Sequence, residues 1–160
     1  MTLIDDLLAA NDGAPRPALL DQRPTRRLAI VTCMDARIDV FAVLGLELGD
    51  AHVIRNAGGR LTDDVLRSLA LSSGMLGVDT VVVMQHTRCG LAGASDAELR
   101  ARTGADLDFL PIADHEASLR ADIDRLSSTP YLSALRSIGG FVYDVDSGRV
   151  EDVVRWERPG

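Results

Sequence analysis

The chain of 160 residues contains no lysine; its 17 basic residues are all arginine. That absence removes Schiff-base chemistry, a pyridoxal phosphate anchor and a P-loop lysine from the possible mechanisms. Cysteine is scarce as well, with two residues, so a disulfide scaffold is excluded, and at 46% hydrophobic and 26% charged the composition is that of a folded globular chain rather than a disordered one. Positive charge is in deficit: the formal net charge is −7, which disfavours nucleic acid and acidic membrane surfaces as partners. Long apolar runs are missing. Residues 28–31 and 80–84 are strand-length, well short of the about 20 residues a membrane-spanning helix needs. Asp5 and Asp6 stand where a signal peptide would carry positive charge, so a cytoplasmic, reducing location is expected.

Length predicts one domain, with residues 1–24 as an N-terminal arm and 27–156 as an α/β core. In the arm, Thr2 and Asp5 have capping-box spacing ahead of Leu3, Ile4, Leu7 and Leu8 on one helical face, and the Gly-, Pro- and Asp-rich residues 11–17 end that helix. Arms of this kind often pack on a partner subunit. Residues 27–32, 52–55 and 80–84 read as strands, the first and third as runs buried on both faces of a parallel sheet. Helices are expected over 38–46, from the Thr62 cap to about Leu76, after Ser95 and from Asp114 to about Leu126, with a short turn opened by Pro130. A late hairpin joins 141–145 to 150–156 through Asp146-Ser147-Gly148. The order predicts a mainly parallel β-sheet flanked by helices with an antiparallel edge strand.

In open parallel sheets, ligands gather beyond the carboxyl ends of the strands. Those ends carry Cys33-Met34-Asp35-Ala36-Arg37, Arg55-Asn56-Ala57-Gly58-Gly59 and His86-Thr87-Arg88-Cys89-Gly90. Cys33, His86 and Cys89 form a two-thiolate, one-imidazole set, suited to zinc with a fourth position open. The residues also permit buried, unrelated cysteines or a redox pair. Asp35 and Arg37 lie two apart, so an extended backbone would bring them to one side, where Arg37 can hold the carboxylate bidentately. A cysteine-phosphatase loop is excluded because only three residues separate Cys33 from Arg37.

These three motifs closely resemble the β-class carbonic anhydrases, in particular the short bacterial branch, in register from about Arg27 to Cys89. The resemblance implies a four-stranded parallel sheet with a fifth edge strand, and a homodimer or dimer of dimers with its active sites at the subunit boundary. It implies one zinc ion per subunit on Cys33, His86 and Cys89, with Asp35 paired to Arg37 or, in a closed form, taking the fourth position on the metal. The implied reaction is reversible hydration of carbon dioxide to bicarbonate and a proton, zinc lowering the pKa of its bound water from 15.7 toward ~7 to give hydroxide. His52 matches a position where plant-type relatives place an aromatic facing the neighbouring cleft, which makes it a candidate proton shuttle, the other reading being a strand-end histidine without a catalytic role. His115, at a helix start, is expected to be solvated. Arg88 stands where many relatives have Asp or Gly, and either points to solvent or favours an anion. The glutamine with which plant-type members contact substrate has no counterpart: Gln22 is out of register, and Pro24 takes the aligned position. Rival functions are carbonyl sulfide or carbon disulfide hydrolysis, a non-catalytic zinc- or bicarbonate-binding protein, and a thiol redox protein.

Overall fold

The computed structural model describes residues 1–15 and 18–160; Arg16 and Pro17, the end of the expected turn over 11–17, lie outside the described residues. Five strands form one sheet in the order β2-β1-β3-β4-β5: β1 (Leu28–Cys33), β2 (Ala51–Asn56), β3 (Thr80–His86), β4 (Ser137–Tyr143) and β5 (Val150–Glu157). The first four are parallel and β5 is antiparallel to β4, as the sequence predicts. Alternation along the central strands feeds two cores. Ala29, Val31, Val81 and Val83 face α3 (Asp63–Gly74) and α5 (His115–Ser128), while Ile30 and Met84 join Ile38, Val40 and Leu91 on the other face.

The helix caps follow their sequence signals. Thr2 and Asp5 close a capping box on α1 (Leu3–Asp12), Ser95 and Glu98 another on α4 (Asp96–Thr103), and the Thr62 and Asp114 side chains accept from Val65 and Ala117 N–H. The helix expected over 38–46 shrinks to α2 (Val40–Leu44), because Asp39 caps it late and Gly45 ends it in the left-handed conformation. Likewise α3 stops at Gly74, before the expected Leu76.

β4 starts four residues ahead of its predicted beginning, across Gly139 and Gly140, a pair that reads as a strand breaker. Packing explains it: a Cβ on Gly140 would come within 2.5 Å of Val154 and 2.9 Å of Ile123, so only glycine lets β5 and α5 approach here. The register shift between β4 and β5 falls at the same place. No helix among the described residues is long and apolar enough to cross a membrane.

Candidate metal centre

Parallel pairing sets Cys33, the last residue of β1, beside Asn56, the last of β2, while β3 runs on to His86 on the other side. A turn then returns Cys89 to the same point. The ligand atoms of Cys33, His86 and Cys89 all lie within 4.8 Å of one another, and the two Sγ atoms are 4.0 Å apart. Two thiolates at 2.3 Å from a tetrahedral ion sit about 3.8 Å apart, so the pair is already spaced for zinc.

The imidazole is the more telling member. His86 is fully buried; its Nδ1–H donates to the Thr87 carbonyl at 2.9 Å, leaving the Nε2 lone pair free. That Nε2 is buried with no hydrogen-bond partner among the described residues. An orphaned buried acceptor is costly unless something fills it, and a metal ion held with the two sulfurs would do so. Burial also pushes the His86 pKa below its usual value, so the ring is neutral and ready to coordinate. The Cys89 thiol is pushed upward by burial and by the neighbouring Cys33 sulfur, a penalty on the lone thiolate that a bound cation removes. Gly58, at φ 75°, turns its N–H onto the Cys33 sulfur at 3.3 Å.

Asp35 and Arg37 do meet, but not through extended backbone. Ile38 N–H donates to the Asp35 carbonyl at 3.1 Å, making a tight turn, and Asp35 Oδ1 accepts the Arg37 backbone N–H at 2.9 Å. The guanidinium completes a bidentate pair through Nε to Oδ1 at 2.9 Å and Nη2 to Oδ2 at 2.8 Å. The Arg37 side chain first, and its backbone N–H second, hold the Asp35 carboxyl well below the usual carboxylate range. Oδ2 lies 3.7 Å from His86 Nε2, so the carboxylate borders the proposed ion. Above the centre opens a cleft of about 360 Å³, walled by Met34, Ala57, Leu91, Leu99 and Phe109.

Among relatives, a carbonic anhydrase family model matches residues 28–110. β-Carbonic anhydrase 1 of Mycobacterium tuberculosis is 37% identical, over 96% of this chain and 99% of that protein. The chain belongs to the β-carbonic anhydrase family. It is thus a zinc enzyme that interconverts carbon dioxide and bicarbonate. The crystal structure of a carbonic anhydrase from Streptococcus mutans is 43% identical, superimposes with a TM-score of 0.82, and covers 96% of this chain and 99% of that one. A carbon disulfide hydrolase of Acidithiobacillus thiooxidans is 32% identical over 94% of this chain and 90% of its own length.

The remaining candidates fall elsewhere. His52 pairs with Ala29, four residues along β2 from Asn56, or about 13 Å from the strand tips. Its Nε2–H donates to the Gln22 carbonyl at 2.9 Å and its Nδ1 accepts from Ser72 Oγ at 2.6 Å, so both ring nitrogens are engaged away from the cleft. Gln22 enters only through that carbonyl, and Pro24 is buried. His115 corrects the expectation of a solvated side chain: it is half-buried, with Nδ1 2.8 Å from Oε1 of the buried Gln85, which also accepts from Ser118 Oγ. Arg88, at φ 54°, is paired with Asp146 and gives its carbonyl to Arg37 Nη2 at 3.2 Å.

Two arginines near the site have structural partners no local pattern announces. Arg60, in a buried ion pair with Asp122, also donates to the Leu110 carbonyl, next to Phe109 of the cleft wall. Arg55 donates to three carbonyls at the end of β1 and in the segment after it. Arg55 stands within a quoted motif; Arg60 follows one directly. A strand-end arginine is the available signal, and it does not say where the side chain turns.

Proposed function

We propose that the centre hydrates carbon dioxide on a single zinc ion held by Cys33 Sγ, His86 Nε2 and Cys89 Sγ, three ligands leaving one corner for the reactants. The observation that carries the assignment is the buried, unpartnered His86 Nε2 facing two cysteines whose sulfurs are 4.0 Å apart. Zinc bound there supplies Lewis acidity at neutral pH.

The chain's own residues do the rest. Arg37 donates twice to Asp35 Oδ1 and once to Oδ2 and keeps the carboxyl ionised, so that Oδ2 keeps a lone pair to accept a hydrogen bond from the reacting water and orient it. The same pairing holds Asp35 off the metal; releasing it would produce the closed form. The apolar wall formed by Met34, Ala57, Leu91, Leu99 and Phe109 suits a small uncharged substrate. His52 cannot serve its own cleft, so a shuttle role for it is confined to the cleft of a partner copy.

The working unit is a homodimer, alone or doubled. Its support is the outer face of α1, where Leu3, Ile4, Leu7 and Leu8 stand exposed, together with the position of β2 at the open edge of the sheet. A reducing cytoplasm suits two cysteines that act as thiolates.

Stopped-flow hydration by zinc-loaded protein tests the reading, with hydration well above the buffer rate expected at alkaline pH and no excess rate rejecting it. The relative that hydrolyses carbon disulfide makes sulfide release the control. Sulfide production with no hydration would reassign the substrate.

A further inference from the structure

We propose that Arg55 is a positioning residue for the metal centre, fixing the segment that carries Cys33 and the Asp35–Arg37 pair. It sits opposite Thr32 in the β1–β2 ladder and turns its guanidinium under the turn that follows β1. All three guanidinium nitrogens donate to that segment: Nε to the Cys33 carbonyl at 2.9 Å, Nη2 to the Asp35 carbonyl at 2.6 Å and Nη1 to the Ile38 carbonyl at 3.1 Å. Among the described residues Arg55 has no carboxylate partner, so its charge is directed wholly at backbone oxygens.

The three acceptors belong to a stretch with little other support. Between Cys33 and Ile38 the backbone is otherwise tied by Met34 N–H to the Asn56 carbonyl at 2.8 Å, by the Ile38-to-Asp35 turn bond and by Arg37 N–H to Asp35 Oδ1 at 2.9 Å. The fork fastens the carbonyl of one proposed ligand, the carbonyl of the dyad acid and the far end of the turn to a single rigid plane. Planarity is the point. Lysine offers a flexible point charge that cannot meet three acceptors arranged around a plane, so Arg→Lys here keeps the charge and loses the template. Arg55 itself touches neither sulfur nor carboxylate oxygen, which makes its action indirect.

This inference rests on the roles proposed above for Cys33 and Asp35. The test uses the full zinc-loaded chain and its Arg55→Lys and Arg55→Met variants, with three readouts: the rate of zinc release to a chelator, the visible spectrum of the cobalt(II)-substituted protein, and kcat and KM for hydration. Displaced supporting groups around metal sites cost on the order of 10–100-fold in affinity or activity. We expect Arg55→Lys to unfold close to the parent temperature, release zinc about 10–100-fold faster, shift the cobalt bands, and lose kcat by a similar factor while KM stays within about threefold. Unchanged zinc release and kcat in Arg55→Lys would overturn the proposal. So would failure of both variants to fold, or a loss of activity that merely tracks the unfolded fraction, since each marks a general structural role. An inactive or zinc-free parent, by contrast, would reject the proposed function before Arg55 is reached.

Discussion

At the carboxyl ends of β1 and β3, Cys33, His86 and Cys89 are nearly or wholly buried, whereas in α1 the apolar residues Leu3, Ile4, Leu7 and Leu8 expose 73, 69, 63 and 65% of their surface. The two regions invert the usual rule, reactive polar groups inside and leucines outside. Both inversions leave a demand that this chain alone does not meet. The buried nitrogen at the centre supports the proposed ion, and the exposed apolar stripe supports the proposed dimer. The difference lies in how each is held: the centre is set by the tips of paired strands beneath a cleft, while the arm is held by its own caps.

Breaking the centre should therefore have the largest effects. Cys33→Ser or Cys89→Ser is expected to leave substoichiometric zinc by elemental analysis and hydration at the buffer rate. Gly59→Ala comes next, because at φ 62° its Cβ would lie 3.0 Å from Cys33 N and from the Met84 carbonyl oxygen, backbone atoms that cannot swing aside. A loss of roughly 3 kcal/mol is expected in urea unfolding. Asp35→Asn should retain zinc but lower kcat/KM by about 10–100-fold, as expected for a group that orients rather than ligates.

The arm sharpens the contrast. A Leu3→Asp, Leu7→Asp double variant is expected to shift sedimentation toward a single chain, with the single chain's own stability changed by no more than about 0.5 kcal/mol, as for surface substitutions generally. A smaller effect distinguishes the centre's supports. The Ser147 hydroxyl and the Asp146 N–H lower the pKa of Asp144, whose carboxylate also accepts from Thr87, the residue after His86. A lowered folded-state value contributes stability that is present above the unfolded pKa of about 4 and is lost as the pH falls through the folded value. Asp144→Asn should accordingly lower stability slightly at neutrality, flatten the acid limb of a stability-versus-pH curve, and match the parent at pH values below the folded pKa.

Much of this was legible from local patterns. Capping boxes at Thr2 and Ser95, buried runs at 28–31 and 80–84 and the hairpin signal at Asp146-Ser147-Gly148 each depend on neighbours within a few residues, and each element formed. The three strand-tip motifs announced the residues of the Cys33, His86 and Cys89 cluster and the Asp35–Arg37 pair as a group. What escaped depends on distant partners. The start of β4 was hidden because Gly139 and Gly140 weaken a strand locally and are required only by Val154 and Ile123. The turn at Asp35, the burial of His115 against Gln85, the Arg60–Asp122 pair and the three-carbonyl grip of Arg55 are likewise fixed by contacts that sequence spacing does not encode.

The Asp35–Arg37 pair has an effect on traffic through the cleft. With zinc on the two cysteines, two thiolates would cancel its charge, and the carboxylate and guanidinium cancel each other, so the floor of the cleft would sum to zero in a chain whose formal charge is −7. A neutral gas meets no electrostatic barrier on the way in. An anion formed there would find no net positive charge in the cleft floor beyond its bond to the metal.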